Sequence, residues 1–301
     1  MNGLLLRKFN HIAAQSGKAF PKELAKLVVM VAGEEKPVYL APAIAEKLSS
    51  QPSEKLREGV RRFTRQLNPD ATGYARKGRT LAGARVDVIV LEKDLSPSKE
   101  MNLTWTLDHE IGHHILRNGT DGLHLQVAES AADAYATLRH MQRFGKDTQY
   151  IRDYISDSAA YFILHGDKDH YTADAVERAL AVAEDMGDKF FRLSERETAK
   201  MAADIADENT LDAKTLQRVR AAWKPMKEIF NPAEMAGDDI RATFLSVLQK
   251  YPGDAAVRDA GERFLDNLLP AWRRKLHISQ ADIKAAAKIP GAQMTRQSRK
   301  L

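Results

Sequence analysis

Residues 99–116 read KEMNLTWTLDHEIGHHIL, and residues 123–143 read LHLQVAESAADAYATLRHMQR. In the first stretch Leu103, Leu107 and Ile111 recur at helical spacing, which predicts a helix with a buried face. Small residues dominate the centre of the second stretch, which predicts a helix able to pack closely on a neighbour. The turn-forming residues 118–122, NGTDG, lie between them, so we expect the two helices to pack antiparallel.

The first helix carries a motif that is typical of metal sites. His109 and His113 are four residues apart, so both imidazoles lie on one helix face and can bind one zinc ion. Glu110 follows His109 directly and lies beside the metal rather than on it. Its carboxylate can take a proton from a metal-bound water and pass it to a leaving amine.

A catalytic zinc usually takes three protein ligands, and the sequence offers two candidates for the third. Glu129 lies on the second helix, and Asp133, one turn further, can accept the other ring N–H of a ligating histidine. His124 is a minor alternative near the turn. The pattern HExxHxxGxxH is excluded, because Leu116 and Gly119 stand where it requires Gly and His.

HEIGHH followed by ESAAD resembles the gluzincin pattern of thermolysin-type metallopeptidases, and residues 109–133 carry that resemblance. It implies that His109, His113 and Glu129 are zinc ligands, Glu110 is the general base and Asp133 supports a ligand. A weaker similarity is to the ImmA/IrrE-type regulatory peptidases, which also combine HExGH with a later E-x-x-A. The helix after Asp133 departs from that second pattern, and no DNA-binding segment accompanies it.

Peptide hydrolysis also needs a group that stabilises the oxyanion. We expect it from His170 and Tyr171, which come just before a helix that begins at Thr172; Tyr161 and His165 are alternatives. Upstream, residues 86–94, VDVIVLEKD, are expected either to form an edge strand that pairs with substrate backbone or to be a plain core strand.

Composition narrows the class of protein. Lys and Arg number 46 against 41 Asp and Glu, a net charge of +5 that is too small to indicate nucleic-acid binding. Cysteine is absent, so any zinc must be held by His, Asp or Glu. No segment is apolar enough for a membrane span or a signal-peptide core, so we expect a cytoplasmic protein or one exported without a cleaved signal peptide.

The expected fold is α+β, with a zincin-like small sheet and the active-site helix followed by a mainly helical C-terminal half. Residues 21–32, PKELAKLVVMVA, read as helical, KPVYL as a short strand, and residues 74–91 as strands. We expect three regions. They are 1–145 with both motif helices, 146–285 as a helical region completing the cleft, and 286–301 as a basic tail.

These features predict a zinc metalloendopeptidase acting on a peptide or protein substrate. The oligomeric state and the substrate stay open. One alternative is a regulatory or exported peptidase dedicated to a single protein. A second is a non-catalytic helical interaction protein whose HExxH is accidental, and this alternative predicts no stoichiometric zinc.

Overall fold

A computed structural model gives the fold of the chain. It describes residues 3–66, 72–116, 125–145, 150–151, 154–155, 158, 163, 170–229, 237–267 and 277–286. The chain divides into two compact units. The first contains residues 1–151 and 174–210, and the second contains residues 152–173 and 211–301. The α+β fold with a helical C-terminal half is confirmed, whereas residues 174–210 belong to the first unit, beyond the expected boundary at residue 145.

The first unit contains a four-stranded mixed sheet in the order β2-β1-β4-β3. The strands are β1 Leu27–Val31, β2 Tyr39–Leu40, β3 Gly73–Leu81 and β4 Ala84–Leu91. β1 pairs in parallel with β4, while β1 with β2 and β3 with β4 are antiparallel. The strands predicted within residues 74–91 are therefore confirmed.

One prediction for this sheet is wrong, and an open alternative is decided. Within residues 21–32, LVVMV forms the fully buried strand β1 instead of a helix. A short, continuously apolar run has no periodicity that separates a buried strand from a buried helix. Of the two alternatives for residues 86–94, the structure shows the core strand, because β4 is paired on both sides. Among the described strands, β3 is the edge that lies next to β4.

Helices surround this sheet and complete the first unit. They are α1 Gly3–Ala19, α2 Pro42–Ser49, α3 Ser53–Thr64, α4 Glu100–Ile115, α5 Leu125–Phe144, α6 Ala173–Met186 and α7 Glu195–Asn209. The motif-bearing helix α4 packs against α1, α5, β3 and β4. Its residues Leu103, Leu107 and Ile111 are fully buried, which confirms the predicted buried face.

The second unit is helical in its described residues. Its longer helices are α8 Ala213–Ile229, α9 Gly237–Lys250 and α10 Ala255–Asn267, followed by the short α11 Gln280–Ala286. Trp223, Phe244 and Phe264 form the aromatic centre of its core. The basic tail expected at 286–301 lies outside the described residues from 287 onward. None of the helices described combines the length and hydropathy that a membrane crossing requires.

A buried ion pair joins α4 to α5. Both guanidinium nitrogens Nη1 and Nη2 of Arg143 donate to the carboxylate of Asp108, whose side chain is completely buried. A second polar cluster joins α5 to α7. Tyr135 donates to Glu195 Oε1 at 2.7 Å, and Arg139 lies 3.4 Å from Glu195 Oε2. These charged contacts fix the position of α5 relative to its neighbours.

Removing one partner of the Asp108–Arg143 pair is predicted to be strongly destabilising. Arg143→Met leaves a buried carboxylate without its cation, and we expect the free energy of unfolding to fall by about 3–5 kcal/mol. Urea unfolding followed by circular dichroism measures it. The exposed pair Lys200–Asp204 provides the control, because Lys200→Met should change stability by less than about 1 kcal/mol. Equal losses in the two variants would contradict the prediction.

Candidate metal centre

The candidate centre is built by α4 and α5, which pack antiparallel. His113 lies against Glu129, His109 against Asp133 and Asp108 against Arg143, so the contacts run in opposite order along the two helices. The turn between them lies outside the described residues. The two helices predicted at 99–116 and 123–143 thus occur at nearly those positions, and their antiparallel packing is as expected.

Three potential ligand atoms converge between the helices. His109 Nε2 and His113 Nε2 are 3.0 Å apart, and Glu129 Oε2 lies 3.4 Å from each of them. These residues form a group that can hold a metal ion. Their side chains are only 12%, 22% and 15% exposed, respectively, so the group is partly shielded from water but retains a route to it.

Asp133 fixes the orientation of His109. The ring Nδ1 of His109 donates to Asp133 Oδ1 at 2.6 Å, and the Asp133 side chain is fully buried. This hydrogen bond leaves Nε2 of His109 as the nitrogen that faces Glu129 and His113. Trp105 stacks on the same ring, with centroids 5.4 Å apart, and further restricts its rotation.

The electrostatics of the centre favour a bound cation. Burial lowers the pKa of His109, but the carboxylates of Asp133 and Glu129 raise it by more, so it lies well above its usual range. Burial raises the pKa of Glu129, yet its hydrogen bonds to His109 and His113 bring it well below its usual range. Positive charge between these groups is therefore stabilised.

Glu110 is buried beside the cluster but is not one of its three ligands. Burial raises the pKa of its carboxyl group above the ordinary value. The neighbouring His109 and His113 oppose that shift, and Glu129 adds to it. Such a carboxylate exchanges protons at a higher pH than a solvated glutamate, which suits an acid–base role.

Gly112, inside the HEIGH motif, allows the close approach of the two helices. A Cβ atom at this position would lie 3.0 Å from Ala132 Cα and 3.3 Å from Ala132 Cβ. The first distance joins it to backbone, which cannot move without shifting α5. The small residues expected to permit close packing are therefore where the helices meet.

The predicted oxyanion residues belong to the second unit. Tyr171 is buried in that unit's apolar core, whereas His170 is exposed and its backbone carbonyl accepts a hydrogen bond from Ser158 Oγ at 2.9 Å. Their catalytic role stays a prediction. The alternatives His124, Tyr161 and His165 lie outside the described residues.

Several residues that shape the centre were not singled out in the sequence. Asp108 was given no role, and its partner Arg143 is 35 residues away, too far for any local pattern to connect them. Lys77 on β3 donates to the backbone carbonyl of His113 at 3.0 Å, near the end of α4. Gly112 also shapes the centre, and it had a visible signal in the sequence. It is the small residue between the two histidines on a helix that must pack closely.

Comparison with protein-family models, with curated proteins and with solved structures gives no match for this chain. The resemblance of residues 109–133 to a known pattern therefore stays an expectation from the sequence.

Asp133→Asn is predicted to weaken metal binding by about 10–100-fold, because it replaces the charged acceptor of the His109 ring N–H by a neutral one. Competition between the protein and a chromophoric chelator for Zn²⁺ measures the affinity. Asp207→Asn, on the exposed face of α7, is the matched control and should leave it unchanged. An affinity in Asp133→Asn equal to that of the control would show that Asp133 does not support the ligand.

Gly112→Ala is predicted to reduce Zn²⁺ affinity by at least about 10-fold, because the added methyl separates α4 from α5 and moves Glu129 away from the histidines. The same chelator competition measures it. The control is Gly59→Ala, whose Cβ would meet the side-chain atom Leu81 Cδ1 at 2.7 Å, away from the centre. Gly59→Ala should lower the free energy of unfolding without changing the affinity for Zn²⁺. If both variants bind Zn²⁺ like the unmodified protein, close helix packing is not what positions Glu129.

Proposed function

We propose that this chain is a zinc-dependent metallopeptidase in which His109, His113 and Glu129 hold the metal and Glu110 transfers protons. The convergence of two imidazole nitrogens and one carboxylate oxygen between α4 and α5 is the observation that supports this proposal most strongly. A helical interaction protein with an accidental HExxH would have no reason to bring Glu129 to both histidines.

The donor set fits zinc in chemistry and spacing. Zinc prefers tetrahedral nitrogen and oxygen ligands with bonds of about 2.0–2.1 Å, which place neighbouring ligand atoms about 3.3–3.4 Å apart. The three distances between the ligand atoms are 3.0, 3.4 and 3.4 Å. Three protein ligands also leave a fourth position for water or substrate, as catalytic sites require.

When bound, zinc supplies a Lewis acid that polarises a peptide carbonyl and lowers the pKa of water. Residues of this chain orient the groups that would hold the metal. Asp133 and Trp105 hold the His109 ring in one orientation, so its Nε2 is presented without a further loss of side-chain freedom. Glu129 brings a negative charge that compensates the metal.

Glu110 is the residue that we assign to proton transfer. It follows His109 on α4, is 8% exposed, and has a pKa raised by burial. Its carboxylate takes a proton from the attacking water and delivers it to the amide nitrogen that leaves. One residue therefore acts first as a base and then as an acid.

The edge strand β3 is the element that we assign to the substrate backbone. It runs beside α4, where Gly73 lies against Thr106, and its outer edge carries no partner strand among the described residues. An extended peptide that pairs with this edge adds one strand to the sheet. Such pairing would hold a scissile bond along the helix that carries the two histidines.

Two substitutions separate metal binding from chemistry. We expect Glu129→Ala to lose most of its zinc, because it removes a ligand. Glu110→Ala should keep zinc at one ion per chain but hydrolyse a mixed-sequence peptide library at less than about one hundredth of the normal rate. Metal analysis of the purified proteins and fluorescence release from quenched peptides provide the two measurements.

Glu46 is an exposed glutamate on α2, and Glu46→Ala is the control. This variant should retain both its zinc and its peptide-hydrolysing activity. Full zinc retention in Glu129→Ala would contradict the assignment of the third ligand. An unmodified protein without stoichiometric zinc would instead favour the non-catalytic alternative.

A further inference from the structure

Four cations cluster on the hairpin formed by β3 and β4. Between residues 73 and 86 the sequence contains Arg76, Lys77, Arg79 and Arg85 and no acidic residue. All four side chains belong to exposed residues. We call them the cationic edge, because three of them lie on the edge strand β3 itself.

A β-bulge interrupts the edge strand and leaves these cations on both faces of the sheet, with Arg76 and Arg79 on the face of Val88 and Val86 and Arg85 on the opposite face. Arg76 pairs with Val88 and Arg79 with Val86, so Lys77 and Gly78 together face the single residue Asp87. Gly78 has φ +64°, the left-handed conformation that such a bulge needs. The guanidinium of Arg85 lies over it, 3.2 Å from the place where a Cβ of residue 78 would be.

The charge of the cationic edge is not neutralised within the described residues. No ion pair there involves Arg76, Lys77, Arg79 or Arg85. The nearest acid in the pairing register is Asp87, and its Oδ1 already accepts the N–H of Gly78 at 2.6 Å. Four exposed cations therefore concentrate positive potential at this edge.

The cationic edge adjoins the candidate centre. Lys77 donates to the backbone carbonyl of His113, one of the two histidine ligands, at 3.0 Å. A molecule lying along β3 is thus close to both the cations and the metal ligands.

We propose that the cationic edge selects an acidic peptide segment, which binds along β3 with alternate carboxylates facing Arg76 and Arg79 on one side of the sheet and Arg85 on the other. This substrate class rests on the proposed function, because it concerns the same centre. It makes the protein selective for polypeptides that carry Asp or Glu on the side of the scissile bond lying over the bulge.

An acidic peptide fits this surface better than a nucleic acid does. The outer edge of β3 presents backbone N–H and C=O groups, which pair with another peptide backbone at a spacing that nucleic acids lack. The one tyrosine on the strand, Tyr74, donates its hydroxyl to the carbonyl of Phe63 and is half-buried under Arg76. It therefore does not form an open platform on which bases stack.

Binding can be tested without hydrolysis. The probe set is three fluorescent ten-residue peptides of matched hydropathy whose variable positions are Glu, Gln or Lys, and fluorescence anisotropy follows their binding to zinc-loaded Glu110→Gln. We expect the Glu peptide to bind at least about 10-fold tighter than the Lys peptide at low salt, with a smaller ratio at high salt. Arg76→Glu/Arg79→Glu in the same background should abolish or invert this ratio.

The control is Lys189→Glu/Arg192→Glu, which makes the same change in net charge on an exposed turn of the first unit. It should keep the preference for the Glu peptide. A ratio that is unchanged by reversing Arg76 and Arg79, or that changes equally in the control, overturns the proposal. The proposal is also overturned if a single-stranded oligonucleotide of equal charge binds as tightly as the Glu peptide.

Hydrolysis by the unmodified protein is scored separately on the same peptides. Charge-selective binding without any hydrolysis supports the cationic edge and contradicts the metallopeptidase assignment. Hydrolysis that is indifferent to peptide charge supports the metallopeptidase and contradicts the acidic substrate class.

Discussion

The close approach of α4 and α5 at Gly112 and Ala132 is the constraint on which the rest of the centre depends. Glutamate and aspartate side chains are short, so Glu129 and Asp133 reach the histidines only if the two backbones are nearly in contact. That approach also brings ionisable groups into a shielded interface. Each of these buried groups then needs a partner of opposite charge. Arg143 is the partner of Asp108, and Asp133 is the partner of His109.

The sheet provides the rigid support for this helix pair. β1 is apolar and buried throughout, and β4 is so from Val88 to Leu91. Helix α4 shares a core with both strands through Leu103, Leu107 and Ile111. The bulge in β3 then turns the outer strand so that Lys77 meets the end of α4. The edge strand of the sheet therefore also borders the candidate metal centre.

Much of the centre was predictable because its signals are local. The spacing of His109 and His113 places both on one helix face, and the turn-forming sequence NGTDG followed by an alanine-rich helix predicts that Glu129 lies opposite them. The fold class followed from the same helices and from the alternation in β4. Strand β1 was missed because LVVMV lacks any periodicity. The sequence left open whether β4 is an edge or a core strand, because strand order depends on pairing between distant residues. The Asp108–Arg143 pair could not be predicted for the same reason, because the two residues are 35 positions apart in the sequence.

The route of the chain has a consequence for when the centre can form during synthesis. Residues 109–133 are made early, but Tyr135 and Arg139 on α5 find their shared partner at Glu195, and the apolar face of α7 completes the same core. Residues 152–173, assigned to the second unit, lie between these segments in the chain. A nascent chain that stops short of Asn209 therefore contains His109, His113 and Glu129 but leaves the helix that bears Glu129 exposed on one side. The packing of the helix that bears Glu129 is accordingly completed only once α7 has emerged from the ribosome, well after His109, His113 and Glu129 have been translated.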